Sequence, residues 1–229
     1  MKNYFIYILQ KDYVYGIIKR EREVISVRQD AIGTLVLYAP AAKVDTMAPV
    51  VPKERYDEIL SCSSASLRQG KLAVWKLLEK AVKEHINLDF ANLNFTKTPN
   101  GKWICPEFHF SLSHSGDIVA VAVSGKPVGV DVQKFRPIRE GLAERILTEG
   151  ELLALASLPS DKRNEFILSA WAGKESAFKK DGGECLTPRQ REGRGASISF
   201  FEYGAEKYVL AVTKEDSKEN IEIRFTEEI

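Results

Sequence analysis

The chain has 229 residues, of which 44% are hydrophobic and 28% charged, and its formal net charge is +1. That length can bury a proper core in one large domain or two small ones, and the balanced charge gives no support to general nucleic-acid or membrane-surface binding. Cys62, Cys105 and Cys185 are odd in number, far apart and without C-x-x-C pairing, which argues against a disulfide framework or a zinc site and fits a reducing compartment.

The opening M-K-N-Y-F-I-Y-I-L-Q-K-D has a short apolar run broken by Gln10 and Asp12, with no small-residue cleavage pattern after it, and reads as a first strand. No run approaches the roughly 18 to 20 apolar residues that span a bilayer, which points to a cytoplasmic protein. Over residues 4–38, short runs rich in Ile, Val and Tyr, separated by charges and by Gly16 and Gly33, predict several antiparallel strands. Residues 40–52 read as a loop, and P-K-E-R-Y-D-E-I-L opens a short helix with Pro52 at its first position. A longer helix follows over 64–84, with Leu67, Leu72, Val74, Trp75, Leu78 and Val82 on its apolar face and Arg68 near its start. The Asn-Gly pair of T-P-N-G-K signals a hairpin turn with Lys102 just beyond it.

Then comes F-H-F-S-L-S-H-S-G-D, in which Phe108, Phe110 and Leu112 alternate with His109, Ser111 and Ser113 in a strand's two-residue period, ending at His114-Ser115-Gly116. An apolar run over 118–123 and a turn at 124–127 lead into V-G-V-D-V-Q, where Val128, Val130 and Val132 share one face and Gly129, Asp131 and Gln133 the other. Residues 140–156 read as a helix in two pieces broken near Gly150. The helical pattern over 163–180 contains W-A-G-K-E-S-A-F-K-K; Phe166, Ile167, Ala170, Trp171, Ala177 and Phe178 form its apolar stripe. Lys174 falls near the middle of that stripe, and Glu175 and Lys179 lie together on its flank. Residues 181–195 read as a mobile loop containing Arg189, Arg191 and Arg194, and strands follow over 196–203, 207–213 and 221–225. Each half thus offers strands plus one long helix, a hint of duplication.

A carboxylate on a strand, Asp131, and one on a helix, Glu175, with lysines nearby, would suit a magnesium ion shared with substrate phosphates, since Mg²⁺ takes one or two protein carboxylates and completes its octahedron with waters and phosphate oxygens. Phosphoryl transfer needs positioning and charge neutralisation more than covalent help, and Lys174 and Lys179 could supply the charge. Blander accounts stay open for each residue alone: a snorkelling Lys174 beside an i,i+4 Glu-Lys pair, a strand-end Asp131, a structural turn histidine at His114.

Taken jointly, V-G-V-D at 128–131 and W-A-G-K-E-S-A-F-K at 171–179 resemble the paired signature of 4'-phosphopantetheinyl transferases. F-S-L-S-H-S-G at 110–116 resembles a third block, found in the surfactin-synthetase-activating (Sfp-type) branch. The resemblance implies an α+β protein of two similar subdomains in one chain, a pseudo-dimer of residues 1–125 and 126–229, each a small antiparallel sheet packed with a long helix. Length favours this monomeric branch over the short trimeric synthases. The implied activity is Mg²⁺-dependent transfer of the phosphopantetheine arm of coenzyme A to a serine of an apo acyl or peptidyl carrier protein, with release of adenosine 3',5'-bisphosphate. Carried over by position, Asp131, Glu175 and, through its amide oxygen, Gln133 would bind Mg²⁺, with Glu175 also taking the serine proton. Lys179 would stabilise charge on the attacked phosphate, Lys174 would touch the pyrophosphate, and Arg68, Lys102, Ser113 and His114 would hold the nucleotide end. Gln133 stands where this branch often has a second acid, which implies weaker metal binding. Two rival readings are a degenerate homologue that binds coenzyme A or a carrier without transfer, and another Mg²⁺-dependent phosphotransferase on an unrelated fold.

Overall fold

Alternation in V-G-V-D-V-Q and F-S-L-S-H-S builds the two strands on which the molecule turns. The computed structural model describes residues 15–20, 23–43, 51–182, 195–215 and 220–227. The expected first strand before residue 15 and the arginine-rich stretch 183–194 lie outside them.

In chain order the strands are β1 (Tyr15–Arg20), β2 (Glu23–Arg28), β3 (Thr34–Pro40), β4 (Thr96–Lys97), β5 (Trp103–Ile104), β6 (His109–Ser115), β7 (Ile118–Ser124), β8 (Val128–Lys134), β9 (Ser197–Tyr203), β10 (Glu206–Lys214) and β11 (Ile221–Phe225). The helices are α1 (Lys53–Leu60), α2 (Ala65–Ala81), α3 (Leu142–Ile146), α4 (Glu149–Ser157) and α5 (Ser160–Lys180). A four-stranded sheet of order β11-β3-β7-β6 and a three-stranded sheet of order β8-β10-β9 form the centre. All their pairings are antiparallel except β11 with β3, so the end of the chain returns to the sheet built by its first half.

The layers follow from the two-residue period. On β7, Val119, Val121 and Val123 pack under α2 with Leu77, Leu78 and Trp75. Its alternate residues Ile118, Ala120 and Ala122 face Val128, Val130 and Val132 of β8 and Leu210 and Val212 of β10. Helix α5 covers the far side of the second sheet, where Leu168 and Ala172 meet Val209 and Ala211. The order is helix, sheet, sheet, helix, so β7 is apolar on both faces, as its unbroken run of small and branched residues required.

Local signals explain most boundaries. Ser64 caps α2 by accepting the Leu67 N–H, and the helix closes in a single π turn ending at Asn87, whose φ of 58° lies in the left-handed region that asparagine tolerates. Pro52 lies one residue outside α1 as its N-cap, so the expected first helical position shifts by one. The Asn-Gly hairpin forms, β4 pairing with β5. The break in the 140–156 helix comes at Leu147–Thr148 and not near Gly150, because Thr148 and Glu151 form a reciprocal capping box that starts a new helix and leaves Gly150 inside its first turn. The buried face of α5 overlaps the expected stripe at Ile167 and Ala177 and otherwise is shifted from it: Leu168, Ala172, Gly173, Lys174 and Ser176 are also buried, and Phe166, Ala170, Trp171 and Phe178 are only partly so.

The glycine of V-G-V-D has a steric reason. A Cβ at Gly129 would stand 1.8 Å from the Ser176 carbonyl oxygen and 2.7 Å from the Lys180 nitrogen, so α5 crosses β8 with its backbone directly against this residue. Gly129→Ala must push the helix off the sheet. It is expected to cost about 3 kcal/mol by overpacking, read as a lowered midpoint in urea unfolding with an unchanged slope.

Candidate active site

The close crossing at Gly129 brings the two motifs together. One turn of α5 beyond Glu175, Lys179 reaches β8, where its Nζ donates to Asp131 Oδ1 at 2.7 Å and to the Val130 carbonyl at 3.0 Å. Residues 48 apart in the chain thus meet in one ion pair. Asp131 is only 3% exposed, and a carboxylate buried that far requires partners. Besides Lys179, it accepts from the Ser113 hydroxyl at 2.8 Å on Oδ1 and from the Gln133 amide at 2.7 Å on Oδ2. Glu175 sits half-buried on the same face of α5 as Lys179, four residues away, a spacing that puts two helical side chains one above the other.

Two cavities flank this cluster, and a different partner of Asp131 lines each. One of about 280 Å³ is lined by Arg55, Lys102, Trp103, Phe110, Phe178 and Lys179. The other, about 360 Å³, has Gln133 on its wall with Arg136, Arg139, Arg145, Ile146 and Trp171. His114 lies beside α2, its ring 3.5 Å from where a Cβ on that helix's Gly70 would stand. Burial, reinforced by the positive charges of Lys179, Lys71 and Arg55, holds its imidazole below the usual histidine range, so it is neutral at neutral pH. Burial likewise lowers Lys102, whose Nζ donates to the Lys179 carbonyl at 2.6 Å and the Lys180 carbonyl at 3.2 Å, capping the C-terminus of α5.

Asp131, Gln133, Ser113 and Lys179 therefore converge, with Glu175 one helical turn from Lys179. Arg68 does not join them by any bond among the described residues; its guanidinium donates to the Cys62 and Ser63 carbonyls at the start of α2. Lys174 departs most from expectation. It is fully buried, donating to the Ile146 carbonyl at 2.8 Å and Glu151 at 2.6 Å, and has no surface through which to touch a pyrophosphate. The compensation that a lysine in an apolar stripe demands comes from α4. The Ser113 proton is spent on Asp131, so its hydroxyl is not available to donate to a phosphate.

Sequence reading passed over Glu151, although T-E-G-E at 148–151 carries the capping-box spacing. It also passed over Arg55 and Lys71, which approach His114 only through packing of α1 and α2 and carry no local signal.

No group of three or more His, Cys, Asp and Glu side chains is arranged to hold a metal among the described residues, and no described helix is long and apolar enough to cross a membrane. Asp131 and Glu175 offer carboxylate oxygens, the donor type of a hard divalent ion such as Mg²⁺, and Asp131 already has a cation, the Lys179 ammonium, against it; Gln133 turns its amide N–H to Asp131 and not its oxygen.

Residues 127–213, running from the turn before β8 through α5 almost to the end of β10, match the family model of the 4'-phosphopantetheinyl transferase superfamily. This segment carries both blocks of the paired signature, so the resemblance stands. Among individual proteins, the chain is 35% identical over 109 residues to the 4'-phosphopantetheinyl transferase ffp of Bacillus subtilis, covering 46% of this chain and 49% of that one. It is 35% identical over 109 residues to psf-1 of Bacillus pumilus, covering 46% and 47%, and 29% identical over 109 residues to Sfp of Bacillus subtilis strain 168, covering 46% and 49%. These relatives place the likeness in the Sfp-type branch. The chain spans about half the length of the curated relatives it matches. A solved holo-[acyl-carrier-protein] synthase of Thermotoga maritima is 26% identical over 38% of this chain and 61% of that one, with a TM-score of 0.29, too low to bear on the fold.

Proposed function

We propose that this chain transfers the 4'-phosphopantetheine moiety of coenzyme A to a serine of an apo acyl or peptidyl carrier protein and releases adenosine 3',5'-bisphosphate. The observation that carries the reading is the Lys179–Asp131 pair at 2.7 Å, which joins the two signature blocks in one site between two cavities.

Asp131 and Glu175 would hold Mg²⁺, which when bound neutralises charge on the diphosphate of coenzyme A, and Gln133 would join them through its oxygen only if its amide turned away from Asp131. In the transfer the serine oxygen forms a bond to the phosphorus bearing the pantetheine arm, and the bond from that phosphorus to the leaving nucleotide phosphate breaks. Glu175 takes the serine proton, directly or through a water. Lys179 would stabilise the developing charge on the attacked phosphate with its ammonium. Lys71 and Arg55 would offer positive charge to the nucleotide phosphates, the neutral His114 a hydrogen-bonding ring beside them, and Lys102 holds the end of α5. The pairing of each long helix with its own sheet supports two similar subdomains, but the expected split at 125/126 into two antiparallel sheets needs correction, because β11 of the second half adds to the first sheet parallel to β3.

The test is intact-mass measurement of a panel of apo carriers after incubation with the protein, coenzyme A and Mg²⁺. A gain of one phosphopantetheine on at least one carrier is expected. Folded protein that binds coenzyme A but modifies no carrier would overturn transfer and leave the binding-only homologue standing.

A further inference from the structure

The two sheets meet along a seam that neither sheet's ladder accounts for. Strand β6 presents Ser111, Ser113 and Ser115 toward β8, and each hydroxyl accepts a backbone N–H there: Val130 at 3.0 Å, Val132 at 3.2 Å and Lys134 at 3.0 Å. The offset is 19 residues at every step, so β6 and β8 run parallel, with serine side chains standing in for the carbonyls of a missing ladder. This meets the donors of an edge strand that would otherwise be buried unsatisfied.

Among the described residues only the middle serine also touches the site. Ser113 Oγ donates to Asp131 Oδ1 at 2.8 Å while it accepts from Val132. A serine hydroxyl has one proton and two lone pairs; with an N–H arriving on a lone pair, the proton is committed to the carboxylate. Both partners are buried, Ser113 at 6% and Asp131 at 3% exposure, so water does not compete for the bond.

We infer that Ser113 is a positioning residue that sets the orientation of the Asp131 carboxylate for a divalent cation. The inference rests on the transferase reading, which gives that carboxylate a metal to hold. Oδ1 is held by Ser113 and Lys179 and Oδ2 by Gln133, which fixes the plane of the group. The Ser113 bond to Oδ1 comes from β6 and so does not depend on the Lys179 bond from α5. The seam makes the support rigid, because Ser113 cannot slide along β8 without breaking the bonds of Ser111 and Ser115.

Ser115 supplies the control, since it makes the same seam bond and has no contact with the carboxylate. Mg²⁺ titrations by calorimetry in the presence of coenzyme A, paired with thermal unfolding, separate the two roles. Ser113→Ala is expected to weaken Mg²⁺ binding about tenfold or more, the usual effect of losing an outer hydrogen bond to a metal ligand. Ser115→Ala is expected to lower the melting temperature comparably while leaving Mg²⁺ affinity unchanged. Ser113→Cys, close in size and a weak donor, should fall between wild type and Ser113→Ala, and it carries the test if the alanine variant does not fold. Wild-type Mg²⁺ affinity in the Ser113 variants would overturn the inference alone. Failure of the wild-type protein to bind Mg²⁺ with coenzyme A would bring it down together with the transferase reading.

Discussion

Glu175→Gln is expected to lower turnover by about 10² to 10⁴-fold while coenzyme A binding changes little, the range associated with losing a general base. The amide keeps size and an oxygen donor but cannot accept the serine proton. Glu175 shares the Lys179 face of α5, whose backbone is pressed against Gly129 of β8, so the carboxylate is carried on a helix fixed against the strand that bears Asp131. Single-turnover transfer to an apo carrier separates chemistry from product release. A Glu175→Gln enzyme with near wild-type turnover would remove this residue from the proton transfer and shift attention to a water held elsewhere in the cleft.

The second large effect is expected in stability, at Glu151. Lys174 is fully buried, and its ammonium is matched by the Glu151 carboxylate, 29% exposed, and the Ile146 carbonyl. Removing the carboxylate alone leaves an uncompensated buried cation, so Glu151→Ala should cost about 3 to 5 kcal/mol. The double variant Lys174→Met with Glu151→Ala should recover most of that loss, since no buried charge remains and methionine fills similar space. Denaturant unfolding of the three proteins checks the order. A double variant as unstable as Glu151→Ala would show that the capping box and not the buried charge dominates.

The same pair has a pH signature. Burial by itself would raise the Glu151 carboxyl, but the bonds from Lys174 and Thr148 outweigh it and hold the group below the usual glutamate range. A carboxyl lowered on folding contributes stability that is complete above its unfolded value and is lost as pH falls through the folded one. The stability gap between wild type and Glu151→Gln should therefore narrow on acidification across that window and stay constant above it.

Much of the fold was readable because its signals are local. Residues 128–134 and 109–115 alternate with the period of a strand, Asn100-Gly101 marks a hairpin, and α2 and α5 show helical spacing over several turns. Errors came where two local rules competed. Gly150 looked like a helix breaker, yet the Thr148–Glu151 capping box two residues earlier decided the boundary. Lys174 shows how far a wheel diagram reaches: its burial was visible in the spacing, but its partner lies 23 residues away on another helix, and no periodicity within α5 names it.

By itself the sequence determined the order and type of the elements and the two carboxylate-bearing blocks, because backbone period and motif identity are written in neighbouring residues. Tertiary structure decided which side chains share the site. The serine seam depends on the meeting of the two sheets, the backbone contact at Gly129 on the packing of α5 against β8, and the partner of Lys174 on the docking of α4 beside α5. Burial of Val128, Val130 and Val132 against β7 turns Gly129 and Asp131 to the opposite face of the strand, where α5 lays Lys179 over Asp131 and Lys174 turns to α4.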